Sequence, residues 1–124
     1  MIVIDSSFWF EFYSESKYTE YISDIFQKMD EIIVPAIIIY EVFKKLLIVT
    51  SESNALKFIA QIKKCKIIDI DFDNAINAAH YSKEYKLPMA DAIIYATAKK
   101  FNAELYTMDS HFVGLDNVKY FKKK

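Results

Sequence analysis

Short apolar runs alternate along this chain with longer stretches of helical periodicity. The predicted strands fall at Met1–Ile4, Glu31–Val34, Lys66–Ile70, Ala103–Thr107 and Val118–Phe121, and their length is typical of buried strands. Between them, apolar residues recur every three or four positions, which predicts helices that pack on a sheet. Strands that alternate with helices require crossover connections. The pattern therefore predicts an α/β fold of three α/β/α layers around a central, mostly parallel sheet of about five strands.

One predicted helix, from Leu87 to Ala98, is apolar on almost every side and carries a single carboxylate, that of Asp91. Pro88 suits a first helical turn, so Asp91 lies near the helix N-terminus, where the helix dipole favours negative charge. A helix of this composition is normally buried, and a buried carboxylate without a partner is costly to desolvate. Asp91 therefore needs a partner, and Lys99 and Lys100 are two turns away.

Three further acids follow predicted strands. Asp5 and Asp109 come directly after the first and fourth strands, and Glu41 lies in the helix after the second. Each alone has an ordinary explanation: Asp5 or Asp109 can cap a turn or helix, and Glu41 can pair with Lys44 or Lys45 at helical spacing.

Functional sites in parallel sheets gather at the carboxyl ends of the strands, so these acids and Asp91 are expected at one edge. Four carboxylates there repel one another unless they are protonated or neutralised by a metal. An all-oxygen site suits Mg²⁺ or Mn²⁺, and the matching chemistry is metal-assisted hydrolysis of phosphodiester bonds.

The length and composition of the chain exclude several classes of protein. The 124 residues predict one domain, 1–124, and the 53% of hydrophobic residues exceed what a small monomer readily hides, which favours a protein interface. No stretch resembles a signal peptide or a membrane span, so we expect a cytoplasmic protein that does not enter a membrane. The single glycine excludes phosphate-binding glycine loops, and the single cysteine, Cys65, excludes an internal disulfide and predicts a buried thiol.

The net charge of −1 gives no global attraction to nucleic acid, so binding depends on local lysines. Lys44 and Lys45, one turn beyond Glu41, are the pair expected to contact a substrate strand. The aromatic residues of Phe8–Phe10 and of a predicted helix over Tyr18–Met29 favour a protein interface over base stacking.

Three aspartates, Asp69, Asp71 and Asp73, imitate the start of a calcium-binding loop. Asn74 and His80 occupy the positions that need glycine and glutamate, so these acids are interpreted as a strand end and a helix cap. His80 and His111 lack the spacing of a zinc site, although His111 follows Asp109 closely enough to lie near a substrate path.

Four short motifs occur in order: Asp5 with Ser7, Glu41, Ala90–Ile94, and Thr107-Met108-Asp109. Together they resemble PIN-domain ribonucleases over essentially the whole length, and VapC-type toxins most of all. The resemblance implies that Asp5, Glu41, Asp91 and Asp109 bind Mg²⁺ or Mn²⁺ or order its water, with Ser7 and Thr107 as hydrogen-bonding supports. Ser7 departs from the family, which frequently has asparagine there, and the glycine that often follows the family's glutamate is absent.

The same resemblance implies a five-stranded parallel sheet, a homodimer, a single-stranded RNA substrate and an antitoxin whose carboxyl-terminal segment blocks the site. We therefore predict a metal-dependent endoribonuclease that acts as the toxin of a toxin-antitoxin pair. Two alternatives stay open: a PIN nuclease of RNA processing without an antitoxin, and a non-catalytic PIN scaffold that binds proteins. The presence of all four acids argues against the scaffold.

Overall fold

A computed structural model describes residues 1–14 and 19–122 of the chain. The strands are β1 (Ile2–Ile4), β2 (Ile32–Pro35), β3 (Lys66–Ile68), β4 (Glu104–Thr107) and β5 (Val118–Tyr120). The helices are α1 (Ser6–Ser14), α2 (Thr19–Phe26), α3 (Ala36–Val49), α4 (Glu52–Ile62), α5 (Phe72–Tyr85) and α6 (Met89–Lys100), with single 3₁₀ turns at Met29–Glu31 and Ser110–Phe112. Tyr18, at the start of one predicted helix, lies outside the described residues.

The five strands form one sheet in the order β3-β2-β1-β4-β5, and every neighbouring pair is parallel. This confirms the predicted α/β/α fold with its central parallel sheet. β1 lies in the middle, and its register pairs Ile4 with Tyr106 of β4. The Asp5 amide continues this pairing by donating to the Tyr106 carbonyl at 3.0 Å. The chain segments that leave β1 and β4 therefore start side by side.

The core lies on both sides of the central strands. Val3, Ile4 and the three apolar residues of β2 are almost completely buried, as parallel strands covered on both faces require. Helix α6 buries residues around most of its circumference, in agreement with its continuous apolar sequence.

The aromatic residues of α1 correct one prediction. Phe8 and Trp9 are each only 1% exposed, and the Trp9 ring lies 4.3 Å from that of Phe26. They are therefore core residues of the monomer and not a protein interface. Burial of one large apolar side chain contributes about 1.5 to 3 kcal/mol, which explains why this segment folds inward as a helix.

Two local predictions agree with the structure. The Asp71 side chain caps α5 by accepting from the Asn74 amide at 2.8 Å. Cys65 is buried, and burial raises the pKa of its thiol to about 11. Within the described residues, no helix combines the length and the apolar character that a bilayer-crossing segment needs.

Candidate active site

A cleft of about 730 Å³ opens at the carboxyl-terminal edge of the sheet. Its lining includes all four acids that the sequence singles out: Asp5, Glu41, Asp91 and Asp109. Asp5 follows β1, Glu41 lies in the second turn of α3, Asp91 lies in the first turn of α6, and Asp109 follows β4. Because the strands are parallel and β1 is central, these four separate segments converge on one place.

Asp5 is held by a set of hydrogen bonds that joins β1 to β4. Its Oδ1 accepts from the Ser6 amide at 2.8 Å, and its Oδ2 accepts from the hydroxyls of Thr107 at 2.8 Å and Ser7 at 3.3 Å. The Thr107 hydroxyl oxygen also accepts from the amide of Asp109 at 2.9 Å. The buried Thr107 thus orients both the Asp5 carboxylate, which follows β1, and the backbone that carries Asp109.

Burial and mutual repulsion raise the pKa of three of these acids, Asp5, Glu41 and Asp91. Burial, and secondarily repulsion from Asp5 and Asp91, raises the pKa of Glu41 to about 7. Burial and repulsion from Asp109 raise the pKa of Asp91 to about 6. Burial also raises the pKa of Asp5, although its hydrogen bonds with Thr107 and Ser6 oppose the shift. Such mutual repulsion among buried acids is the electrostatic signature of a site that attracts a cation.

One carboxylate oxygen of Glu41 lacks a hydrogen-bond partner. Its Oε1 is buried and has no hydrogen-bond partner, and Glu41 makes no ion pair with any described residue. The alternative that Glu41 pairs with Lys44 or Lys45 is therefore wrong in this structure. The Lys44 and Lys45 ammonium groups lie over the rings of Tyr40 at 5.6 Å and Phe10 at 4.3 Å instead.

Asp91 has a partner that comes from outside its helix. Nδ1 of His111, in the 3₁₀ turn after β4, lies 2.9 Å from Asp91 Oδ2 and 3.1 Å from Asp109 Oδ1. The hydrogen bond to Asp91, followed by the charge of Asp109, raises the pKa of His111. Sequence reasoning placed His111 only near a substrate path; its spacing of two residues after Asp109 was the one available signal.

The donor set fits a hard divalent cation. Carboxylate oxygens are the ligands that Mg²⁺ and Mn²⁺ prefer, and an orphaned buried carboxylate oxygen is satisfied by a cation or its water. Asp91, Asp109 and His111 each offer one ligand atom, and these atoms lie within 4.8 Å of one another.

The rim of the cleft differs from its floor. Phe10, Tyr40, Lys44 and Lys45 lie on it beside the apolar side chains of Ile48 and Val49. Aromatic faces and lysines together can contact the bases and the phosphates of a single strand of nucleic acid.

Solved structures of similar fold are numerous. A chain of a toxin-antitoxin complex from Klebsiella pneumoniae superposes with a TM-score of 0.85 at 22% identity, over 99% of this chain and 100% of that chain. VapC20 of Mycobacterium tuberculosis, a sarcin-ricin loop cleaving toxin, superposes with a TM-score of 0.76 at 14% identity, over 94% of this chain and 95% of that chain. VapBC2 of Rickettsia felis, solved bound to a promoter DNA fragment, gives 0.77 at 15% identity, over 98% of each chain. At these identities the likeness is one of fold.

Sequence similarity decides the family. No curated protein sequence matches the chain significantly. The PIN domain family, in contrast, matches residues 2–118, which include strands β1 to β4, the first residue of β5 and all four acids of the cleft. The central parallel sheet and the carboxylates at its edge agree with this match, and so the chain belongs to the PIN domain family.

Proposed function

We propose that this chain is a metal-dependent endoribonuclease that hydrolyses phosphodiester bonds of single-stranded RNA and is the toxin of a toxin-antitoxin pair. The observation that carries the proposal is the buried, unpartnered Oε1 of Glu41 in a cleft shared with three other carboxylates. Buried polar atoms in proteins normally have a partner, so this oxygen supports a cation bound in the cleft.

In this proposal Asp5, Glu41, Asp91 and Asp109 hold Mg²⁺ or Mn²⁺. A divalent cation bound there supplies water activation and neutralises charge on the scissile phosphate. Thr107 and Ser7 keep the Asp5 carboxylate pointed into the cleft through their hydrogen bonds. Membership of the PIN family supports a nuclease, and the likeness of fold to a sarcin-ricin loop cleaving toxin supports RNA as the substrate.

The antitoxin part of the proposal has support from the surface of α3. Leu47, Ile48 and Val49 are 42%, 73% and 59% exposed, and two of them line the cleft. A protein segment that covered this apolar surface would also cover the site. Several solved relatives by fold are toxin-antitoxin complexes. Other exposed apolar residues could form the interface of the proposed homodimer. They include Ile70, Phe72, Ile76 and Met89.

The function is tested on purified protein with Mn²⁺ and a mixed pool of cellular RNA. Asp5→Asn and Asp91→Asn should each lose Mn²⁺ binding in calorimetry and slow RNA cleavage at least about a hundredfold, since a metal ion contributes several kcal/mol to such reactions. Asp69→Asn removes an exposed acid that does not line the cleft and is the matched control. Equal loss in the control, or cleavage that survives in metal-free protein, would refute the proposal. If the wild type binds no metal, the scaffold alternative replaces it.

A second prediction concerns the lysines on the rim. The double variant Lys44→Ala/Lys45→Ala should bind single-stranded RNA on the order of tenfold more weakly. The slope of log affinity against log salt should fall by about 1.4, as expected for two lost phosphate contacts. Fluorescence anisotropy with a labelled RNA measures both, in a Glu41→Gln background to prevent cleavage. Lys63→Ala/Lys64→Ala removes two exposed lysines at the end of α4 and should change neither value. Unchanged affinity in the first variant would exclude these lysines from the binding surface.

A further inference from the structure

His111 lies within the acidic site and brings a different kind of donor to it. Its Nδ1 is 2.9 Å from Asp91 Oδ2 and 3.1 Å from Asp109 Oδ1, and its side chain, in the 3₁₀ turn that follows β4, is 55% exposed. Within the part of the chain that the structure describes, these three side chains form the one group of three or more His, Cys, Asp or Glu residues whose ligand atoms already lie within 4.8 Å of one another.

The distances match those between neighbouring ligands of one ion. Two ligands at right angles on an octahedral cation, with bonds of about 2.1 Å, lie about 3 Å apart. Both histidine-to-carboxylate separations have this value. The spacing between Nδ1 and Asp91 Oδ2 is that of a hydrogen bond and also that of two ligands of one ion, so Nδ1 can take a ligand position once it has lost its proton.

Local structure holds the ring in this place. The Asp109 carboxylate accepts from the His111 amide at 2.9 Å, which fixes the turn that carries the ring. Phe112, the next residue, is completely buried and anchors the same turn in the core. Both contacts fix the backbone from which the ring projects.

We propose that His111 is a nitrogen ligand of the metal site, together with Asp91 and Asp109, and that it makes the site prefer Mn²⁺ to Mg²⁺. This rests on the proposed metal-dependent function. Imidazole suits first-row transition metals, whereas Mg²⁺ prefers oxygen donors, so one nitrogen among carboxylates shifts selectivity toward manganese.

Pulsed EPR of bound Mn²⁺ tests the ligand directly, because a coordinated imidazole nitrogen modulates the electron-spin echo. The modulation should be present in the wild type and in His80→Ala, which removes the chain's other histidine, an exposed residue of α5. It should be absent in His111→Ala and in His111→Asp, and the second variant keeps an oxygen donor.

Calorimetry completes the test. His111→Ala should lose about tenfold in Mn²⁺ affinity and clearly less in Mg²⁺ affinity, and His111→Asp should recover Mg²⁺ binding. Absence of nitrogen modulation in the wild type, or equal or tighter Mn²⁺ binding by His111→Ala, would show that the imidazole is only a counter-ion to the acids and would overturn the inference. Asp91→Asn in the same series separates the two proposals. If this variant loses Mn²⁺ binding, the acidic metal site is supported whatever the role of His111. If it still binds Mn²⁺, the proposed metal-dependent function is refuted.

Discussion

Glu41→Gln should give a protein that is more stable than the wild type without metal and unable to cleave RNA. In the wild type, burial and the neighbouring carboxylates raise the pKa of Glu41 from its ordinary 4.5 to about 7, so its ionised form destabilises the fold near neutral pH. The neutral amide has the same shape and removes that repulsion. We expect a gain of about 1 to 2 kcal/mol after solvent screening is allowed for, which is roughly 3 to 8 °C in melting temperature.

The same substitution removes a proposed metal ligand. Cleavage should therefore fall at least about a hundredfold, and Mg²⁺ or Mn²⁺ should raise the melting temperature of the wild type but not that of the variant. Glu84→Gln, at an exposed position of α5, is the matched control and should change neither stability nor activity. A variant that is destabilised in chelator would mean that favourable contacts of the ionised carboxylate, such as its hydrogen bond with Ser6, outweigh the repulsion, and the electrostatic interpretation of the site would be wrong.

The metal-free protein should lose stability as pH rises from about 5 to about 8. The pKa values of Asp5, Glu41, Asp91 and His111 are all raised in the folded protein, with Asp91 at about 6 and Glu41 at about 7. Each group therefore binds more protons in the folded state than in the unfolded state, so the free energy of unfolding falls with rising pH. Each acid lowers the free energy of unfolding between its pKa in the unfolded chain, near 4, and its higher pKa in the folded protein. His111 does the same as pH rises through its own raised pKa.

The expected loss across this range is roughly 2 to 3 kcal/mol, with allowance for solvent screening of the part-exposed groups. Urea unfolding in chelator at several pH values measures it. Excess Mg²⁺ or Mn²⁺ should flatten the dependence, because a bound cation favours the ionised carboxylates. Glu41→Gln should remove part of the slope, and Glu84→Gln should leave it intact. A slope that is the same with and without metal would show that these acids do not share a cation.

Much of the architecture could be predicted from local patterns. The short apolar runs identify the strands because residues of a covered parallel sheet are buried on both faces, and helical periodicity between them implies crossovers. Pro88 and the continuous apolar run after it locate the α6 helix. The lone carboxylate of Asp91 in that helix needs a hydrogen-bonding or ionic partner, because burial of an unpaired charge is costly. Strand ends mark one edge of the sheet, which is why the positions of Asp5 and Asp109 along the chain suffice to group them.

The family resemblance named Thr107 as a support of the acids, but local pattern could not identify which side chains meet. Thr107 reaches Asp5 across 102 positions of sequence, and His111 reaches Asp91 across 20, through the pairing of β4 beside β1 and the turn that follows β4. Aromatic periodicity likewise cannot tell a core from an interface, because both bury the same side chains. Phe8 and Trp9 are core residues only because α1 packs inward.

The sequence by itself thus determined the order of strands and helices, the edge of the sheet that carries the candidate site, and the four acids that lie there. Only the tertiary structure decided that Glu41 Oε1 is left without a partner, that Lys45 lies over Phe10 instead of pairing with Glu41, and that a histidine joins two of the acids. The physical reason is that periodicity records which face of an element is buried. Distances between side chains of different elements depend on strand register and helix packing, which no single segment encodes.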